Sequence, residues 1–305
     1  MQEKTARTID DVLKSVCKAR EEWELDADQE IWFRGEDIKH RASTLQPKLY
    51  RHLPEEIGIV SNALLRKERD FHSEFQRCGA QLYDHENVDD WDWYFLMQHH
   101  GAPTRLMDWS DGALMALHFA TKGSLSATKG SYVYLLDSYA LNDFLDDLPS
   151  TAKFKNSWKA YREDRKKRGR RWPRHWDHVY LPGMHGLAST GKPRPTKGQA
   201  PKIARPELPI EPMVLEFPQM TRRVAAQRSR FMVYGKDRSW LTRWAHSKDS
   251  RIWRITIPKD SVAPIKTQLR DAGITESVIF PDLDGLGREI DQLWDSLKRE
   301  RRFRR

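Results

Sequence analysis

The chain has 305 residues, 38% of them hydrophobic and 32% charged, with 12 Trp, 11 Phe and 9 Tyr. That supports one large or two small packed units and excludes fibrous, collagen-like and wholly disordered classes. The formal charge is +9, but residues 153–206 carry a net of +13 and the tail 298–305 a net of +5, which leaves −9 on the remainder. The excess is therefore evidence about two basic segments, not about the body.

Residues 8–22 read as an amphipathic helix: Thr8 is a candidate N-cap, Asp10 and Asp11 follow, and Ile9, Val12, Leu13 and Val16 form the apolar stripe. Residues 30–34 read as a short strand ended by Gly35. Pro47 keeps 44–51 irregular. A long helix is predicted over 55–83 and another over 89–100, the latter capped by Asp89 or Asp90 and stopped by Gly101 and Pro103. Residues 104–109 fit a strand or a loop, 111–121 a buried helix of small residues, and 131–137 a central strand. The basic insert spans 150–212, and its Pro/Gly-rich second half reads as loop. Strands are predicted at 213–217, 230–235, 251–257 and 277–280, and helices at 259–272 and 285–300.

The expected fold class is α+β, because short strands do not alternate regularly with helices and no P-loop or dinucleotide GxGxxG is present. The expected organisation is an N-terminal helix over 1–29, a main domain built from 30–149 and 213–297, the basic insert 150–212, and a basic tail 298–305. No run of 18 apolar residues occurs, so no membrane span is expected. The first 20 residues lack the apolar core of a signal peptide, and Cys17 and Cys78 make no disulfide framework. The expected location is cytoplasmic.

Four segments concentrate polar and special residues within apolar surroundings. Trp32-Phe33-Arg34-Gly35 ends a strand with a guanidinium suited to phosphate, or with an Arg pairing locally with Asp37. Residues 98–110 (QHHGAPTRLMDWS) bring His, Thr, Arg, Asp, Trp and Ser together, and Arg105 with Asp108 also fits a structural buried pair. His99 and His100 are adjacent and point apart on a helix, so no metal is expected. Residues 222–231 place Gln227 just before a strand. Residues 280–285 (FPDLDG) read as a turn and helix cap; Asp282 and Asp284 lack the closing Glu of a calcium loop.

Taken together, these segments resemble the FRG-domain family, named for its Phe/Tyr-Arg-Gly motif. Trp32–Gly35 is similar to the family's opening. Leu45, Pro47, Leu49 and Arg51 match its Leu-x-Pro-x-Leu-x-Arg element, and residues 98–110 with Ala113, Leu114 and 116–120 match its long central motif. Ala226, Gln227 and Phe231 resemble a later element, and 280–285 the closing one.

The order of elements also resembles ADP-ribosyltransferases of the Arg–Ser–Glu type, which implies a short-stranded split sheet with flanking helices. That resemblance implies NAD as substrate. Arg34 and Gly35 would hold its diphosphate; Thr104 or Ser110 would grip the nicotinamide, with Trp109 stacking on it, and Arg105 would be a further NAD-binding residue. Gln227 stands where those enzymes carry their catalytic Glu. Being neutral, it cannot supply an anion; either Asp108 takes that role, or the site binds NAD-like ligands with little turnover. The implied function is an NAD-consuming effector, toxin or anti-phage, acting on a macromolecule.

A second reading starts from the insert: a protein that binds RNA or DNA, with the FRG-like body as a non-catalytic ligand sensor or partner platform. Arg165, Lys166, Lys167, Arg168, Arg170, Arg171 and Trp172, with Trp158, Tyr161 and Trp176 nearby, interleave cations and aromatics in the way single-stranded nucleic acid is bound. A solvated helix face explains the same charge run. Asp282, Asp284, His99 or His100 would serve a nuclease, but without metal-ligand spacing.

Overall fold

A computed structural model describes residues 1–37, 45–83, 88–123, 130–169, 173, 175–186, 203–215 and 222–299. Seven strands, β1 (Gln2–Thr5), β2 (Ile31–Asp37), β3 (Leu106–Ser110), β4 (Ser131–Asp137), β5 (Met213–Leu215), β6 (Ser229–Val233) and β7 (Ile252–Ile257), form one sheet in the order β1-β7-β4-β2-β3-β6-β5. Only β1 and β7 run parallel; the other neighbours are antiparallel. The architecture is therefore mixed α/β, with a mixed sheet between two layers of helices.

The helices are α1 (Ile9–Glu22), α2 (Asn62–Gly79), α3 (Asp90–His99), α4 (Ala113–Thr121), α5 (Ser138–Asp147), α6 (Pro149–Lys167), α7 (Arg222–Ala226), α8 (Trp240–Ala245), α9 (Lys259–Asp271), α10 (Glu276–Ile279) and α11 (Leu283–Arg299). Alternation along a strand sends successive side chains to opposite faces. Ile31 and Phe33 of β2, with Val133, Leu135 and Ile255, join the core under α1, α4 and α9. Trp32, Tyr134, Leu136 and Ile252 join a larger core on the other face, with Leu65 of α2, Trp91 of α3, Leu141 of α5, Trp158 of α6 and Leu241 of α8.

Local chemistry accounts for most boundaries. Thr8 and Asp11 close a capping box on α1, and Asp89 and Asp92 close one on α3. Pro149 opens α6 at a position where its missing N–H does no harm. Gly35 sits where α4 touches β2: a Cβ there would lie 1.8 Å from the Ala116 carbonyl oxygen. That contact explains the small residues Ala116 and Ala120 on the facing side of α4.

Several elements differ from expectation. The helix predicted from residue 55 starts at Asn62, because Val60 N–H donates to the Lys236 carbonyl at 2.8 Å and Ile59 bridges Asp237. The strand predicted at 277–280 is helical: Ile279 and Phe280 N–H donate to the carbonyls of Thr275 and Glu276 at 3.1 and 2.8 Å. β1 and α5 have no counterpart in the sequence reading, and α6 turns the first part of the basic insert into helix. Among the described residues, no helix is long and apolar enough to cross a membrane.

Candidate functional site

The sheet parts between β2 and β3. Seven residue pairs join β2 to β4, and five join β3 to β6, but only Phe33↔Ser110 joins β2 to β3. Beyond that pair, Arg34 reaches across the gap with its side chain. Its Nη1 donates to the Asp108 carbonyl at 2.6 Å, and its Nε donates to Glu36 Oε1 at 2.7 Å. Glu36 lies two residues along β2, on the same face, and also accepts from Leu45 N–H at 3.2 Å. Both ionic side chains are 10% exposed. Burial works against the charge of Arg34, but Glu36 and Asp108 outweigh it and hold its pKa above the ordinary arginine value. The partner expected from the sequence, Asp37, is replaced by Glu36.

A cavity of about 300 Å³ opens at this seam. Arg34 and Gly35 border it from β2; Asp108, Trp109 and Ser110 from β3; Gln227 from the turn between α7 and β6. Six of the eight residues singled out for catalysis or NAD binding therefore share one cleft. Hydrogen bonds fix them. Asp108 Oδ2 accepts from Gln98 Nε2 at 2.7 Å, and Gln98 Oε1 accepts from the Thr104 hydroxyl. Ser110 Oγ donates to the Gln227 carbonyl at 2.9 Å and accepts from Gly112 N–H at 3.1 Å, so this hydroxyl pins the turn that carries Gln227. Gln227 Nε2 donates to the Ile279 carbonyl at 3.4 Å. Trp109 is almost wholly buried, and its indole N–H has no partner among the described residues.

Thr104 and Arg105 are placed differently. Neither borders the cavity, and both are fully buried. Arg105 Nε donates to Glu68 Oε2 at 2.7 Å, Nη1 donates to the Tyr234 carbonyl at 2.8 Å, and Nη2 donates to the Tyr180 carbonyl. The buried pair weighed as Arg105–Asp108 is Arg105–Glu68 instead. Desolvation opposes the Arg105 charge, yet Glu68 more than restores it, and the pKa is raised. Arg105 ties β3 to α2 and to the ends of two other segments; it offers no donor to a ligand in the cleft.

Among the cleft residues not singled out as ligand-binding from the sequence are Arg51 and Phe119. The Leu-x-Pro-x-Leu-x-Arg element held the signal for Arg51. It follows the 3₁₀ turn Lys48–Tyr50, whose Leu49 and Tyr50 are buried. His99 borders the same cleft; His100 does not. No cluster of three or more His, Cys, Asp or Glu suited to a metal occurs among the described residues. Asp282 Oδ1 accepts from Gly285 N–H at 2.6 Å, within the first turn of α11.

At the end of α6, Lys166 and Lys167 are exposed, and Arg168 pairs with Asp164 at 2.9 Å. Trp158 and Tyr161 are buried, and Trp176 packs edge-on against Phe154 and Tyr180. These three aromatics are taken up by packing, so the charge of this helix end is displayed without the stacking faces the nucleic-acid reading assigned to them. Arg170, Arg171 and Trp172 lie outside the described residues, as do residues 300–305 of the basic tail.

A family model described as FRG domain matches residues 29–129. The match takes in β2, β3 and α4, with Arg34, Arg51, Asp108 and Ser110, and leaves Gln227 outside. Comparison with curated proteins and with solved structures finds no match.

Proposed function

The chain carries an FRG domain over residues 29–129, and on that premise we propose that its cleft binds and cleaves NAD, as an ADP-ribosyltransferase-like effector. The observation that carries this reading is the meeting of Arg34, Asp108, Ser110 and Gln227 in one cavity at the seam of the sheet. Each has a task in that chemistry. The nicotinamide–ribose bond breaks with its electron pair leaving on nicotinamide, and positive charge builds on the ribose. Arg34, held in place by Glu36 and the Asp108 carbonyl, fixes the diphosphate. The Asp108 carboxylate, oriented by Gln98, stabilises the ribosyl cation. Gln227 hydrogen-bonds the ribose side without charge, and Trp109 with Phe119 and Phe231 bounds the apolar part of the cleft. Water or a nucleophile on a macromolecule then takes the ribosyl group and gives up a proton. A toxin or antiviral-defence role follows where that macromolecule is essential to its host.

The test is nicotinamide release from NAD by the purified chain. We expect Asp108→Asn to reduce it by roughly 10²–10³-fold, the loss typical of removing one charge-stabilising group, and Arg34→Ala to reduce it by raising KM as well. No release by the unaltered chain, or release by both variants equal to that of the unaltered chain, overturns the proposal.

A further inference from the structure

We infer that Arg51 and Arg34 together form a two-guanidinium site for a diphosphate group, with Arg51 as the arm reserved for the ligand. The two arginines border the same cavity but are used very differently. Arg34 gives Nε to a carboxylate and Nη1 to a backbone carbonyl. Arg51 is only partly exposed, and gives Nε to the Gln46 carbonyl at 3.0 Å. Its two terminal nitrogens have no acceptor, and no carboxylate lies within ion-pair distance, among the described residues. Burial, and then the neighbouring Arg34, pull its pKa below the ordinary arginine value, against the opposing pull of Glu36 and Asp108. A guanidinium kept partly out of water, beside a like charge and with no carboxylate in ion-pair contact among the described residues, is poised for an anion that completes the site.

The surroundings narrow the anion. Asp108 is the one acid bordering the cavity among the described residues, and its carboxylate is already turned to Gln98. The remaining border mixes the aromatic rings of Phe33, Trp109, Phe119 and Phe231 with polar side chains such as Gln98, Ser110 and Gln227. About 300 Å³ is the lower end of small-molecule pockets, which suits part of a nucleotide rather than a polymer strand. Guanidinium forks match phosphate oxygens in pairs, so two of them fit two linked phosphoryl groups better than one. The ligand class is a diphosphate-linked nucleotide. This deepens the NAD reading, and it rests on that reading only for which nucleotide is bound.

The experiment is calorimetric titration of the full chain with ADP-ribose, inorganic pyrophosphate and AMP, for the unaltered protein, Arg51→Gln and Arg51→Lys. We expect Arg51→Gln to weaken ADP-ribose and pyrophosphate by about 10- to 100-fold, the value of a charge-assisted contact, and to affect AMP less. Arg51→Lys should recover part of the loss. The unliganded melting temperature of Arg51→Gln should equal or exceed that of the unaltered chain, which a purely structural arginine would not give. Unchanged ADP-ribose affinity in Arg51→Gln, or no binding of ADP-ribose and pyrophosphate by the unaltered chain, overturns the inference. Diphosphate binding that depends on Arg51, without nicotinamide release, keeps this site and removes the NAD-cleaving reading. Nicotinamide release with the same KM in Arg51→Gln does the reverse.

Discussion

Arg105 was a candidate ligand-binding residue, and its surroundings make a different and quantitative prediction for Arg105→Ala. Arg105 and Glu68 are both 0% exposed. Removing the guanidinium takes away the 2.7 Å contact to Glu68 and the donors to the Tyr234 and Tyr180 carbonyls. Glu68 keeps the Tyr94 hydroxyl and a longer contact, 3.3 Å, from the backbone N–H of residue 105. A buried carboxylate stripped of its cation costs about 3–5 kcal/mol, and the orphaned carbonyls add to it. Domain stability is only about 5–15 kcal/mol, so the variant should sit near the edge of folding. At roughly 2 °C per kcal/mol, the lower end of the range for sizeable domains, the melting temperature falls by about 6–10 °C. Differential scanning calorimetry on Arg105→Ala and on Arg105→Met with Glu68→Leu checks it. The double variant should regain much of the loss, because no uncompensated charge remains. An Arg105→Ala protein that melts like the unaltered chain yet loses ADP-ribose affinity would falsify this assignment and return Arg105 to the cleft.

Two further outcomes follow from the same coordinates. Gly35→Ala should be at least as damaging, because its Cβ would fall 1.8 Å from Ala116 O and 2.5 Å from Ala120 N; a cost above ~3 kcal/mol, beyond ordinary overpacking, should appear as loss of the folded fraction in urea titration, and a stable, active Gly35→Ala chain would contradict the described packing of α4 on β2. The second concerns acid. Desolvation opposes ionisation of Glu276, but His118, Lys122 and Arg288 overcome it and hold its pKa down at about 2. Its folded value lies below its unfolded one, so its stabilisation is present above about pH 4.5 and is lost as pH falls toward 2. Burial, with Arg105 next, pushes His185 down to about 3, so the unfolded chain binds a proton there first and stability drains from about pH 6.5 to 3. Unfolding midpoints against pH should flatten over 6.5–4.5 in His185→Asn and over 4.5–2 in Glu276→Gln; unchanged slopes in both would refute the assignment.

What the sequence made legible was whatever its physics kept local. Capping residues such as Thr8 and Asp89, the β-branched and aromatic run of β4, and the small residues of α4 each announce their element within a few positions. The Arg34, Asp108 and Ser110 set was legible because a motif groups those residues, and strand alternation then fixes their faces. Long-range partners were not legible. Nothing near Arg105 points to Glu68, which comes from α2, 37 residues earlier. Nothing in QEKT signals a strand until β7 presents an edge for β1 to join in parallel. Ser277 to Phe280 has strand-like composition, yet a buried Glu276, held by Lys122 at 2.6 Å and Arg288 at 2.8 Å, fixes that segment as a helical turn. Arg51 stood in the Leu-x-Pro-x-Leu-x-Arg element, but its place at the cleft beside Arg34 is a long-range relation that the sequence does not show.

The single residue pair between β2 and β3 also bears on how the molecule holds together mechanically. Four strands on one side and three on the other form two hydrogen-bonded leaves, hinged at Phe33↔Ser110 and latched by the Arg34 side chain to the Asp108 carbonyl. A continuous sheet shares strain along all its rungs; here, one backbone rung joins the leaves, and side-chain links such as Arg34 to the Asp108 carbonyl and Arg230 to Glu30 at 2.7 Å carry load beside it. Whatever fills the cleft becomes part of that latch, so occupancy and the cohesion of the two leaves are thermodynamically linked, and the leaves are the natural units of partial opening.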